Sequence, residues 1–132
     1  MEHPIHVVAG IIYNSEYKKI LIARKKSIFI FGGLWEFPGG KVEEYESYEM
    51  ALKRELKEEL NIEINSIQSY LSKLYNSNGI FIHLNSFQCR YQSGEITLKD
   101  HDQVKWVEKS ELSSYNFSPA DIHIVKNISS CL

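Results

Sequence analysis

Residues 40–62 read GKVEEYESYEMALKRELKEELNI, running from Gly40 to Ile62. Tyr48, Leu52, Leu56 and Leu60 recur every fourth residue, which predicts a helix from about Ser47 to Leu60 with one apolar stripe. Its acidic residues are unusually placed. At about 100° per residue, Glu55, Glu58 and Glu59 fall within an arc of roughly 100°. That arc borders the stripe, because Tyr48, Ala51 and Leu52 share its sector. Glu55 and Glu59 form an i,i+4 like-charge pair, which typically destabilises a helix by a few tenths of a kcal/mol. Such crowding calls for a cation, and hard divalent ions such as Mg²⁺ take oxygen ligands and are commonly shared with substrate phosphates. A Glu-rich helix with interleaved lysines is ordinarily a solvated face. The sector shared with the apolar stripe, the preceding glycines and the fixed spacing argue against that here.

The spacing has a second meaning. Gly40, five residues, Glu46, seven residues, then Arg54-Glu55-Leu56-Lys57-Glu58-Glu59-Leu60-Asn61-Ile62 resembles the signature of the Nudix family at every fixed position but one. The exception is Asn61, where the family has glycine just past the helix end. Asn is the next best residue for the left-handed backbone there. The resemblance implies an α+β Nudix fold, a mixed β-sheet sandwiched between helices (α/β/α). It also implies a Mg²⁺-dependent hydrolase, with Mn²⁺ able to substitute. Carried over residue by residue, it makes Glu58 and Glu59 metal ligands and Glu55 either a ligand or the base for the attacking water. Arg54 orients Glu55, Glu46 supports the site from behind, and the backbone carbonyl of Gly39 is a further ligand. Divalent cations suit this chemistry, because a pyrophosphate linkage is densely anionic and repels the attacking water.

Bulk properties agree with a small-molecule enzyme. The chain has 132 residues, 43% hydrophobic and 24% charged, with a formal net charge of −2. This fits one domain, residues 1–132. The balance and the lack of long basic runs give no footprint for nucleic acid. Cys89 and Cys131 form no zinc or CxxC pattern. No apolar run reaches membrane-spanning length and no signal-like N-terminus is seen, so the expectation is a cytoplasmic protein, off membranes, as a monomer or homodimer.

Around the signature, Ile5–Tyr13 reads as a strand buried on both faces and Lys19–Ala23 as a second, antiparallel to it. Residues 26–33 form a loop with unusual apolar weight. Leu34–Phe37 reads as a short strand broken by Pro38-Gly39-Gly40. Glu49 and Lys53 make a favourable pair on the outer side of the helix. Asn76-Ser77-Asn78-Gly79 predicts a hairpin between strands at 62–75 and 80–91. Val104–Val107 is a further strand, Ser110-Glu111-Leu112 opens a short helix, and Ser118-Pro119-Ala120-Asp121 opens the last one.

Gly33 to Glu43 (GLWEFPGGKVE) and Ser118–Asp121 are similar to the MutT-type branch, which removes oxidised or noncanonical (d)NTPs from the nucleotide pool, yielding monophosphate and pyrophosphate. That branch reads the base at the position of Asp121. Its 8-oxo-dGTP members carry Asn there and CTP pyrophosphohydrolase-like members carry Asp. An ionised carboxylate only accepts hydrogen bonds, which suits the cytosine amine. Asp121 is otherwise a residue favouring a helix start. Lys25 stands where the branch has a nucleotide-contacting arginine, or is an ordinary strand-end lysine. Phe37 offers a base-stacking face or is core. Asp100, six residues ahead of Trp106, matches an acidic ligand or base of the branch, and Asp102 is the weaker candidate. His101 resembles a histidine of the CTP-type relatives and by itself reads as a loop bystander. Two other readings stay open: hydrolysis of a nucleoside diphosphate linked to another group, and a nucleotide-sensing module without catalysis.

Overall fold

The computed structural model describes residues 3–131, the side chain of Ser77 excepted. Strand β1 (Ile5–Tyr13) is apolar on both faces, and each face has its own core. With the two-residue alternation of a strand, Ala9, Ile11 and Tyr13 point one way and Val8 and Ile12 the other. In β2 (Ile20–Lys25) the same alternation sends Ile20 and Ile22 to the first core and Leu21 to the second. Helix α1 (Tyr48–Leu60) covers the second face through Ala51, Leu52, Leu56 and Leu60. The other face is covered by a 3₁₀ turn at Lys109–Ser114 and by α2 (Ile122–Ser130), through Leu112, Ile124, Val125 and Ile128.

The sheet between them is mixed, which realises the α/β/α arrangement. Its main path adds β3 (Trp35–Glu36), β5 (Glu63–Ser77) and β6 (Ile80–Ser93) in the order β3-β2-β1-β6-β5, with β4 (Gly39–Lys41) on β1 and β7 (His101–Val107) on β2. The β1–β6 pair is parallel and the other pairs are antiparallel. The predicted hairpin turns at Asn78 (φ 53°) and Gly79 (φ 86°), the two positive-φ positions that a two-residue turn matching strand twist requires. No helix among the described residues is long and apolar enough to cross a membrane.

Three expectations need correction. Pro38-Gly39-Gly40 does not simply end a strand: the chain resumes at once as β4, with Gly39 opposite Ala9 and Gly40 opposite Val8. A Cβ on Gly39 would lie 1.9 Å from the Val8 carbonyl oxygen, so the glycine allows a backbone approach that no side chain permits. Strand β7 begins at His101 and not at Val104, because an irregularity at Arg24/Lys25 lets His101 pair with Lys25. Glu49 and Lys53 are both exposed and make no ion pair among the described residues, as solvation competes well with an isolated surface pair.

The helix ends are built as the signature requires. Ser47 accepts a hydrogen bond at its Oγ from the Met50 N–H at 3.1 Å. At the other end Asn61 is left-handed (φ 59°, ψ 38°), and its side-chain amide donates to the Glu95 carbonyl at 3.1 Å. A β-branched residue in this conformation is strained. Asn61→Val should lower unfolding free energy by about 1–2 kcal/mol. Asn61→Gly should stay within about 0.5 kcal/mol of wild type, since relief of strain offsets the lost hydrogen bond and the added chain entropy. Urea denaturation of the three proteins decides this, and equal midpoints for Val and Gly would refute it.

Candidate active site

The site is organised by one guanidinium. Arg54 lies on α1 six residues before its end. Its Nε donates to Glu46 Oε2 at 2.7 Å and its Nη2 to Glu46 Oε1 at 2.9 Å, a bidentate pair. Nη2 also donates to the Lys41 carbonyl at 3.0 Å, and Nη1 donates to Glu55 at 3.0 Å and to Glu58 at 3.3 Å. One side chain thereby ties the helix to the loop running from β4. Glu46 also accepts from the Glu43 N–H at 3.0 Å. The Arg54 contact, aided by that N–H, pulls the Glu46 carboxyl down to about 2. The same contact with Glu46 raises Arg54 above its ordinary value.

Glu55 and Glu59 lie on the side of α1 that meets the glycines. A Cβ on Gly40 would fall 2.3–2.7 Å from the Glu55 carboxylate, so glycine is what leaves room for that acid. Burial pushes the Glu55 carboxyl up, against the opposing pull of Arg54. Glu59 is pushed up further, to about 8, first by burial and then by the charges of Glu55, Glu36 and Asp100. These acids are held together without enough positive charge of their own. A donor set of carboxylate and glycine carbonyl oxygens in such a cradle fits a hard divalent cation.

Gly40 and Glu59 also border a cavity of about 280 Å³, at the small end for ligand sites. Lys25, Glu36, Phe37, Gly39 and Asp121 line it as well. The structure therefore brings Gly39, Glu59, Lys25, Phe37 and Asp121 to one place. Glu58 does not line the cavity and is more exposed, with half of its side-chain surface open. Asp100 lies just before β7, where its charge reaches Glu59. Asp102 is drawn off to Arg24, 2.8 Å from its Nε. Phe37 is buried and one face stacks on Phe117 (centroids 5.2 Å apart, 27° between planes), so it forms a wall of the cavity rather than an open stacking platform.

One cavity residue, Glu36, was not among the expected site residues, and it brings His101 with it. His101 is not a loop bystander: it is buried on β7, and its Nε2 lies 2.8 Å from Glu36 Oε2. Lys25 Nζ lies 4.0 Å from the other Glu36 oxygen. Among the described residues, Glu36, Glu59 and His101 form the cluster whose potential ligand atoms all lie within 4.8 Å of one another. Only Glu59 of these was expected. The available signal was a lone acid inside the apolar run Leu34-Trp35-Glu36-Phe37, where burying a charge demands a partner.

Asp121 is buried, and its Oδ2 accepts from Ser118 Oγ at 2.9 Å. Burial, then the charge of Glu36, raises its carboxyl to about 7, while Ser118, the Phe37 N–H and Lys25 pull the other way. At neutral pH it is divided between acid and carboxylate, so it donates as well as accepts. The acceptor-only expectation holds for its ionised form.

The NUDIX domain family matches residues 3–128. The CTP pyrophosphohydrolase of Escherichia coli (strain K12) is 38% identical to this chain over 122 residues, 92% of this chain and 89% of that protein. The 8-oxo-dGTP diphosphatase of Buchnera aphidicola subsp. Schizaphis graminum (strain Sg) is 33% identical over 123 residues, 93% of this chain and 92% of that protein. Among solved structures, the E. coli ORF135 protein superimposes with a TM-score of 0.82 at 35% identity, over 96% of this chain and 89% of that one. A MutT structure from work on Aliivibrio salmonicida and Vibrio cholerae gives 0.77 at 33% identity, over 98% and 100%.

The raised acids make stability depend on pH. The Glu59 carboxyl is at about 8 when folded and near its ordinary value of 4.5 when unfolded, so between these pH values the folded state binds the extra proton. Its contribution to stability is full below about pH 4.5 and is lost as pH rises through about 8. In EDTA, the melting temperature should fall between pH 5 and pH 8, less steeply in Glu59→Gln, and added Mg²⁺ should shrink the wild-type fall. Parallel slopes for the two proteins in EDTA would refute the assignment.

Proposed function

From the premise that this chain belongs to the Nudix family, we propose that residues 1–132 form one catalytic domain that hydrolyses nucleoside triphosphates to monophosphate and pyrophosphate with Mg²⁺. The observation that carries the reading is the continuity of the Arg54-held carboxylates with the cavity, through Gly40 and Glu59. Phosphates are placed at the carboxylate end and the base at the Asp121 end.

Glu58, Glu59, the Gly39 carbonyl and, with them, Glu55 and Asp100 would hold Mg²⁺. When bound, the ion supplies charge neutralisation at the phosphates and acidifies the attacking water. Arg54 keeps the Glu55 carboxylate aimed at the site, and Glu46 holds Arg54 in turn. Glu55, with its raised affinity for protons, is suited to take one from water. Lys25 offers positive charge toward the nucleotide, while His101 and Lys25 hold Glu36 in place at the wall. Phe37 excludes water from the base end. The substrate is a free nucleotide rather than nucleic acid.

Asp121 and the CTP pyrophosphohydrolase relative favour cytosine nucleotides, because the cytosine amine is a donor that a carboxylate accepts. The partly protonated state of Asp121 leaves room for an oxidised guanine, whose edge both donates and accepts.

Hydrolysis of CTP, dCTP, dGTP and 8-oxo-dGTP with Mg²⁺ should release pyrophosphate. Release of orthophosphate, or preference for a nucleoside diphosphate sugar, would overturn the reading. Glu58→Gln should lose more turnover than the roughly 10–100-fold typical of losing an outer partner of a metal ligand. Wild-type rates in this variant at saturating Mg²⁺ would remove Glu58 from the site.

Asp121→Asn exchanges an acceptor oxygen for a donor. Discrimination in favour of cytosine should drop by roughly 1–3 kcal/mol in kcat/KM, with a smaller change in kcat. In the wild type that preference should grow as pH rises from 6 to 8 and Asp121 ionises; in Asp121→Asn it should be flat. An unchanged substrate order and unchanged pH trend would leave Asp121 a helix-start residue.

A further inference from the structure

On the face of the sheet away from the cavity, two histidines meet. His6 on β1 and His83 on β6 are register partners across the parallel pair, and their Nδ1 atoms lie 3.0 Å apart. Their neighbours Val7, Ile82 and Leu84 line the cavity, so strand alternation turns both histidines toward the α1 side. There the Tyr48 hydroxyl, on the first residue of α1, lies 3.1 Å from His6 Nδ1.

The proton count at this contact is informative. The Asn85 amide nitrogen faces two backbone carbonyls, those of His83 at 3.2 Å and Val7 at 3.5 Å, and at 3.5 Å also His83 Nδ1, which turns its Oδ1 toward Ser72. The single Ser72 hydroxyl proton is donated to that oxygen at 3.1 Å. Ser72 Oγ therefore accepts from His83 Nε2, 2.6 Å away. In the neutral ring this is the Nε2–H tautomer, which leaves a lone pair on Nδ1. That lone pair faces His6 Nδ1, so the gap holds two ring nitrogens and at most one proton.

We propose that His6 and His83 form a two-nitrogen site for a borderline divalent ion such as Zn²⁺ or Ni²⁺, separate from the carboxylate site, with water filling the remaining positions. The ion replaces the shared proton, and His6 takes its Nε2–H form. Two imidazole nitrogens on one tetrahedral ion, each at about 2.0–2.1 Å, stand about 3.3 Å apart. The 3.0 Å contact needs to open only slightly. The register of β1 and β6 fixes both backbones, and the hydrogen bond from His83 to Ser72 orients the ring from behind, as outer partners of metal ligands do. Neutral imidazoles without a carboxylate select zinc or nickel over Mg²⁺. His6 is exposed, so the ion enters from solvent. Once bound, it ties β1 to β6 beside the first turn of α1.

The test is calorimetric titration of the full chain with Zn²⁺ in excess Mg²⁺, together with melting curves, for wild type, His6→Ala, His83→Ala and Glu59→Gln. One Zn²⁺ should bind the wild type and raise its melting temperature, because an ion that binds only the folded state stabilises it. Affinity should weaken roughly tenfold or more in each histidine variant, on the scale at which even outer partners of a metal ligand matter. Both histidine variants should keep wild-type Mg²⁺-supported turnover, which shows that their fold is intact. Glu59→Gln should retain the Zn²⁺ site. The proposal is overturned if the wild type binds no Zn²⁺, if the histidine variants bind it as tightly, or if binding is lost in Glu59→Gln and kept in His83→Ala.

Discussion

Arg54 carries the constraint on which the rest of the site depends. Its guanidinium reaches Glu46, Glu55, Glu58 and the Lys41 carbonyl at 2.7–3.3 Å, with Glu43 at 3.6 Å. Its planar, fixed fork is what makes this possible, since a lysine is a point charge and holds no such geometry. Through it the loop after β4 is locked to α1, and acids that would otherwise repel one another are kept on one side of the helix. Burial first, and the remaining repulsion after it, displaces the Glu55 and Glu59 carboxyls upward.

Backbone proximity is the second element. Gly39 packs against the Val8 carbonyl and Gly40 against the Glu55 carboxylate. Strand β4 therefore lies close against β1 and leaves room beside it for the Glu55 carboxylate of the helix. The central strand β1 then serves both sides of the molecule: one face anchors α1, and the other, through Val7 and Ala9, floors the cavity.

The Asp121 end of the cavity is a different electrostatic environment. Glu36 and Asp121 are two acids in a dry wall, offset by Lys25 and by the contact of His101 with Glu36. Asp121 responds by holding its proton to about pH 7, which makes its hydrogen-bonding character a matter of pH rather than of residue identity alone.

Local sequence determined a good deal of this protein. The stripe of Leu52, Leu56 and Leu60 is a short-range consequence of helix geometry and was readable from spacing, the left-handed Asn61 followed from the family resemblance, and the Ser47 cap emerged with the structure. The doubly buried β1 and the Asn78-Gly79 turn were readable too, because strand alternation and positive-φ turns also act within a few residues. The acids of α1 and the arginine among them were legible for the same reason. Tertiary structure decided the rest. Residues 36, 101 and 121 are far apart in the chain, and only the pairing of β3 and β7 with β2, together with the docking of α2, brings Glu36 and Asp121 to one wall with His101 bound to Glu36. The continuation of β3 into β4, the pairing of Asp102 with Arg24, and the meeting of His6 with His83 likewise depend on strand register. Register is set by which faces of the whole sheet must be buried, and no local pattern records that.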